Sequence, residues 1–319
     1  MSTDLAPITR LQPPALLPAG DLLADFLSTL SPRTLRAYSQ DISHFGRFLH
    51  SDPNDAVNRF LNLAGGEANR IAIAWKAAMT ESKLSPATIA RRLAALRSVC
   101  TFAATIGRID WSLRVKTPKV TPYRDTRGPS HTDCARILES LALDTIAARR
   151  DRAIIRLARD LGLRRAEIAS LDLGSIDLAT DPSSLVIVGK GETQARRMTL
   201  PGPTAAAIAD WLAVYPGVHV AGDPLFVRLD RAAEGIPLRL SGEGIARLIE
   251  RAGKKAGVKK RVTPHQLRHA GITRALDRTN GDVRRVRQFS RHRRVETVLT
   301  YDDSRRDEQG QVAALVAEE

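Results

Sequence analysis

Apolar residues recur every three or four positions along most of the chain, a spacing that predicts helices far more often than strands. The clearest start is Ser31-Pro32-Arg33-Thr34, where a serine cap precedes a proline at the first helical position. Leu35, Tyr38, Ile42, Phe45 and Leu49 then mark one face of a helix of about five turns. Ser85-Pro86-Ala87-Thr88 repeats the signal ahead of Ile89, Leu93, Leu96, Cys100 and Ala103, and Gly107 is placed to stop that helix. Between them, residues 56–80 read as one more helical stretch around Phe60, Leu61, Ile71, Ile73 and Trp75. No strand pattern interrupts this region, so residues 21–113 read as a helical bundle behind a proline-rich, flexible tail at 1–20.

Farther along, helices are predicted over 131–143, 144–162, 203–214, 241–256, 264–278, 281–289 and 306–317. A single β signal breaks the series. Leu185-Val186-Ile187-Val188 and Arg196-Arg197-Met198-Thr199-Leu200 flank Gly189-Lys190-Gly191, the arrangement of a hairpin. Residues 114–128 hold Pro118 and Pro122 among lysines and arginines with little periodicity, and read as a linker. The fold class is therefore mainly α with a small β component (α+β): a helical domain at 21–113 and a mixed domain at 129–319.

At 319 residues and 43% hydrophobic, the chain has material for about two cores and does not have the composition of a disordered protein. No apolar run approaches the length of a membrane span, and the start lacks a basic stretch followed by an apolar one. Cys100 and Cys134 are too few for a disulfide framework or a four-thiolate zinc site. The expected location is cytoplasmic, without membrane association.

Charge alters the picture more. The net charge is +14, and residues 251–301 carry 15 Lys/Arg against three acids, while 302–319 carry two bases against six acids. Such clustering suits a polyanion, because each phosphate neutralised releases condensed counterions.

Several residues in basic surroundings could carry chemistry. Gly162-Leu163-Arg164-Arg165-Ala166-Glu167 puts a carboxylate three positions after an arginine, able to hold its fork towards a phosphate. The same pair also describes an ordinary surface salt bridge. Lys190 at a hairpin tip could reach a phosphate or donate a proton, or be turn chemistry alone. Pro264-His265-Gln266-Leu267-Arg268-His269 starts a helix with two histidines one turn apart. A zinc reading with His292 as third ligand lacks its base, since Gln266 stands where a metalloprotease has glutamate. Tyr301, nine residues after His292, is either packing or a nucleophile that needs help losing its proton.

Taken in order, Arg, Lys, His-x-x-Arg, His and Tyr supply three or four cations around one phosphodiester together with an oxygen nucleophile. In these residues the chain resembles the tyrosine recombinase (phage integrase) family, of the two-domain, Xer-like kind. Arg164, Lys190, His265, Arg268, His292 and Tyr301 match the family's catalytic positions, and Glu167 supports Arg164. The two Ser-Pro-x-Thr starts resemble the family's SAM-like core-binding helical domain, and the twenty residues ahead of it leave no room for an arm-binding domain.

The resemblance implies a site-specific recombinase that cleaves and rejoins duplex DNA through a 3′-phosphotyrosyl bond, with no cofactor and no metal. Tyr301 would attack, Arg164, Arg268 and His292 would hold the phosphate oxygens, His265 would accept the tyrosine proton or orient the phosphate, and Lys190 would protonate the leaving 5′-oxygen. Implied partners are double-stranded DNA recombination sites and other copies of the chain, a dimer per site and a tetrameric synapse, with room for accessory DNA-bending or directionality proteins. Bound to DNA, the protein would be nucleoid-associated. Integration or excision of a mobile element is the preferred role, with Xer-type replicon-dimer resolution and a non-catalytic DNA-binding regulator as alternatives. The family usually has Gly before the last histidine and often Thr after the His-x-x-Arg-His run; this chain has Arg291 and Ala270, and neither change removes a reacting group.

Overall fold

The capping signals and apolar stripes become helices in a computed structural model that describes residues 21–119, 128–188, 194–230, 237–305 and 308–318. The predicted tail at 1–20, most of the linker and Lys190 lie outside the described residues. The chain divides into two compact units, Met1–Pro122 and Tyr123–Glu319.

Among the described residues, five helices build the first unit: α1 (Leu22–Ser28), α2 (Pro32–Phe48), α3 (Pro53–Leu61), α4 (Gly65–Glu81) and α5 (Pro86–Thr105). Ser85 caps α5 by accepting the Thr88 backbone N–H at 3.3 Å, and Gly107 turns left-handed (φ 73°) just beyond it. Phe45 is the hub of the core, meeting Phe60 and Trp75 edge-on at 5.1 and 4.9 Å, a geometry that suits the ring quadrupoles. The stretch expected to be one helix over 56–80 is two. Trp111 sits against Gly65, where a side chain would approach its Cβ to 2.7 Å, so α4 can start there only on a glycine. The short α1 had no cap-and-stripe signal strong enough to predict it, yet buries Leu23 and Phe26.

In the second unit, α6 (His131–Glu139), α7 (Ile146–Asp160) and α8 (Arg165–Ala169) precede a three-stranded antiparallel sheet of β1 (Ile176–Asp177), β2 (Ser184–Val188) and β3 (Ala195–Thr199), in that order. The predicted hairpin pairs Leu185 with Met198 and Ile187 with Arg196, and β1 adds an edge that two residues could not announce. Leu185 and Ile187 face the core, and Val186 and Val188 face outward, as a strand's two-residue period requires. Then follow α9 (Gly202–Leu212), α10 (Gly242–Lys255), α11 (Pro264–Arg278), α12 (Val283–Ser290), α13 (Glu296–Arg305) and α14 (Glu308–Ala317).

The central helix α7 is surrounded, with Ala153, Ile154, Leu157 and Ala158 fully buried. Gly271 lets α11 approach it so closely that a Cβ would overlap the Arg159 carbonyl oxygen. A separate small cluster of Ile272, Leu276, Val286, Val298 and Tyr301 docks α13 on α11 and α12. The protein is thus mainly helical with one small antiparallel sheet. No helix among the described residues is long and apolar enough to cross a membrane.

Candidate active site

Four chain segments converge on one place in the second unit. The first is the corner after α7, where Gly162 is left-handed (φ 57°), a conformation that costs glycine least. It delivers Arg164 to the start of α8. Glu167, 4% exposed, reaches back to accept the Arg164 backbone N–H at 2.8 Å, and its other oxygen takes the Arg164 guanidinium at 2.7 Å. The predicted Arg-Glu pair is therefore not a surface salt bridge at its carboxylate end. Burial works to raise the Glu167 pKa, but the Arg164 N–H and the guanidiniums of Arg291 and Arg164 together outweigh it and hold the carboxyl below its ordinary value.

The second segment is the start of α11. Thr263 and Gln266 form a reciprocal capping box at 3.3 and 3.0 Å, so the residue standing where a protease would have its glutamate serves as a helix cap. From this helix Arg268 is 2% exposed, donating to the carbonyls of Gly162 and Ser290 and lying 3.3 Å from His292 Nε2. Burial, and then Arg164 and Arg291, bring its pKa to about 10, which still leaves a cation at neutral pH. Among the described residues no group of three His, Cys, Asp or Glu is placed to hold a metal ion.

Arg291 and His292 follow α12 as the third segment. Because an arginine only donates, His292 Nε2 accepts from Arg268 and the neutral ring carries its proton on Nδ1. That Nδ1 is buried with no hydrogen-bond partner among the described residues. Burial, followed by Arg268 and Arg164, pushes the His292 pKa down to about 4. With its pKa that low, the His292 ring is neutral at neutral pH in the chain without DNA.

The fourth segment is α13, a helix not predicted, because only Val298 and Tyr301 face the cluster that docks it. Tyr301 is 4% exposed, and its hydroxyl lies 3.4 Å from His269 Nε2. Burial raises its pKa, while Arg268 and Arg164 pull the other way. The His265 ring packs on that of His269, 4.0 Å between centroids, and the His292 ring stacks near Tyr301 at 5.8 Å. His265 is exposed, yet burial of its surroundings, then Arg268 and Arg164, hold its pKa below the usual imidazole value.

Arg164, Glu167, His265, Arg268, His292 and Tyr301 are therefore brought together. Two more residues belong to the site. The sequence shows His269 only as half of a histidine pair, and Arg291, in place of a glycine, only as added charge beside the active site that bears on how the Tyr301 segment docks. The arrangement places a phenol beside an imidazole and next to a buried guanidinium, with a second guanidinium, Arg164, 40% exposed. Such a group can deliver an oxygen nucleophile to an anionic ester and stabilise the charge that develops there.

The family model for the phage integrase family matches residues 130–308, and that for the phage integrase N-terminal SAM-like domain matches residues 25–107. A tyrosine recombinase of Synechocystis sp. is 36% identical over 291 residues, covering 90% of this chain and 91% of the relative. Among solved structures, the XerH site-specific recombinase bound to a palindromic difH substrate in a post-cleavage complex has a TM-score of 0.66 at 18% identity, covering 89% of this chain and 80% of that one. A lambda integrase tetramer bound to a Holliday junction has a TM-score of 0.64 at 14% identity, covering 90% and 78%.

Proposed function

Because the chain belongs to the phage integrase family and is a tyrosine recombinase, an enzyme that transfers DNA strands, we propose that Tyr301 is its nucleophile and that the site around it works as follows. The observation that carries the reading is the Tyr301 hydroxyl, buried beside His269 and within the field of Arg268 and Arg164. The tyrosine oxygen attacks the scissile phosphorus as its proton passes to His269. Of the two roles the resemblance leaves to His265, accepting that proton or orienting the phosphate, its exposed position beside His269, one helical turn away, favours the second.

Arg268 and Arg164 offset the charge that builds on the non-bridging oxygens, with His292, whose Nε2 lies 3.3 Å from Arg268, beside them. Preorganised donors of this kind are each worth about 2.7–4 kcal/mol. The phosphorus to 5′-oxygen bond then breaks, Lys190 supplies the proton to that oxygen, and the DNA is left as a 3′-phosphotyrosyl ester. A 5′-hydroxyl of the partner strand reverses the step, so the bond energy is conserved and no nucleotide is consumed. Two copies bind each site and four form the synapse, in keeping with the tetramer that the lambda integrase structure holds on a Holliday junction. The sites recombined are those of a mobile element, integrated or excised.

Tyr301→Phe tests the nucleophile. It should abolish cleavage of a nicked duplex carrying the target site and leave binding within about twofold, since one hydroxyl is a small part of a phosphate-dominated interface. Cleavage by that variant would overturn the assignment. Lys190→Ala should slow normal DNA but spare a substrate with a good 5′ leaving group; equal slowing on both removes Lys190 from the acid role.

A further inference from the structure

Arg291 is a cation inside a site that already holds two, and its backbone sits in the left-handed region (φ 55°, ψ 36°) where a side-chain-bearing residue is disfavoured. Its side chain is nonetheless 7% exposed and engaged at both terminal nitrogens, while Nε is buried with no hydrogen-bond partner among the described residues. Nη2 donates to Glu167 Oε2 and to the Gly162 carbonyl, both at 3.0 Å. Nη1 donates to the Leu161 carbonyl at 3.1 Å and lies 3.3 Å from the Phe289 carbonyl and 3.4 Å from Met198 Sδ on β3.

Two of these acceptors are shared with the arginines that face the phosphate. Glu167 binds Arg164 through Oε1 and Arg291 through Oε2, and the Gly162 carbonyl receives both Arg268 and Arg291. A carboxylate with both oxygens available closes on a guanidinium as a bidentate pair. Arg291 and the Arg164 backbone N–H together occupy Oε2, which confines Glu167 to a single bond with the Arg164 side chain and so leaves more of the Arg164 fork for a phosphate.

We propose that Arg291 is a positioning residue for strand cleavage: it holds Glu167 and the Gly162 corner so that Arg164 and Arg268 stand fixed and charged at the phosphate. This rests on the phosphate-binding role given above to those two arginines. With its two terminal nitrogens turned to Glu167 and to the carbonyls of Leu161, Gly162 and Phe289, Arg291 acts through its neighbours.

The test is single-turnover cleavage by the full-length protein of two nicked substrates, one with a normal scissile phosphate and one with a neutral methylphosphonate there. Arg291→Gly suits the left-handed backbone, and Arg291→Lys keeps the charge but cannot span the same acceptors. On the phosphodiester, Arg291→Gly should slow cleavage about 100-fold, Arg291→Lys less, with site binding nearly unchanged. On the methylphosphonate, which has no charge to clamp, both deficits should shrink below about tenfold. Arg164→Ala combined with Arg291→Gly should be slower on the phosphodiester than Arg164→Ala alone by much less than the full Arg291→Gly deficit, because the part that passes through Arg164 is already lost and only the part that passes through Arg268 remains.

Equal losses on both substrates, or losses that multiply in the double variant, would reduce Arg291 to general scaffolding and overturn the proposal. Wild-type cleavage by both Arg291 variants would overturn it as well. If Arg164→Ala itself cleaves like wild type, the phosphate role of Arg164 falls first and takes the proposal with it, an outcome that the single Arg164 variant reads separately. Should Arg291→Gly fail to fold, Arg291→Lys carries the same comparison between substrates.

Discussion

Replacing Glu167 with glutamine keeps the shape of the side chain and removes the one negative charge that Arg164 and Arg291 share. The two partners lose different amounts. Arg164 is 40% exposed, so water screens its share to about 1 kcal/mol or less. Arg291 is 7% exposed and would be left as a buried charge without its counterion, a change that costs about 3–5 kcal/mol when one partner is removed. Glutamine retains one accepting oxygen, so the low end, about 3 kcal/mol, is expected. With a urea dependence of about 2 kcal/mol per molar, that lowers the midpoint by about 1.5 M.

The pH dependence gives the prediction its sign. The folded Glu167 pKa lies below its ordinary value of 4.5, so its contribution is complete above about that pH and is lost as pH falls through the lower folded value. Urea unfolding read by hydrogen exchange at α11 amides isolates the second unit. Wild type should exceed Glu167→Gln by about 3 kcal/mol near pH 7, with the gap closing as the solution is acidified below about pH 4.5. A gap of the same size at both ends, or none at neutral pH, refutes the reasoning.

Three further outcomes follow from the same geometry. His269→Ala should slow cleavage about 10²–10⁴-fold, and its rate should climb with pH towards and beyond the usual tyrosine value of 10.0, because burial raises the Tyr301 pKa and hydroxide must then take the proton; a near-wild-type rate at neutral pH removes His269 as acceptor. Val298→Ala removes two fully buried methyl groups from the small cluster that docks α13, a loss of about 1–2 kcal/mol. Exchange of α13 amides should quicken about 5- to 30-fold while α7 amides are unaffected, and equal acceleration in α7 contradicts local docking. Burial pushes the thiols of Cys100 and Cys134 up to about 12 and 11, so iodoacetamide near pH 8 should modify both in urea and neither in the native protein; native labelling contradicts their burial.

What the sequence disclosed follows from how local each cause is. The helices after Ser31 and Ser85 start where the pattern places them, although only Ser85 caps the backbone, the Ser31 hydroxyl meeting that of Thr34 instead. The break before α4 is marked locally by Gly65-Gly66, a pair the apolar spacing over 56–80 passes over, whereas the close approach of Trp111 to Gly65 comes from far along the chain. The helix α13 escaped notice because it rests on a small satellite cluster, and β1 because two residues carry no period.

The site behaves the same way. Order and spacing along the chain identify Arg164, His265, Arg268, His292 and Tyr301 as one group, but which histidine of α11 meets the tyrosine depends on how that helix is rotated against α13. The inward turn of Arg291 is a property of backbone and side chain together; its one sequence signal is an arginine where a left-handed helix end favours glycine.

The most direct test incubates the purified protein with nicked duplexes from its own genomic neighbourhood, in EDTA, and maps any SDS-resistant protein–DNA adduct by mass spectrometry. The account predicts one adduct, on Tyr301, joined to a 3′-phosphate, and the attached sequence then shows whether the site belongs to a mobile element or to a replicon. An adduct on any other residue, or tight site-specific binding that never yields one, contradicts it.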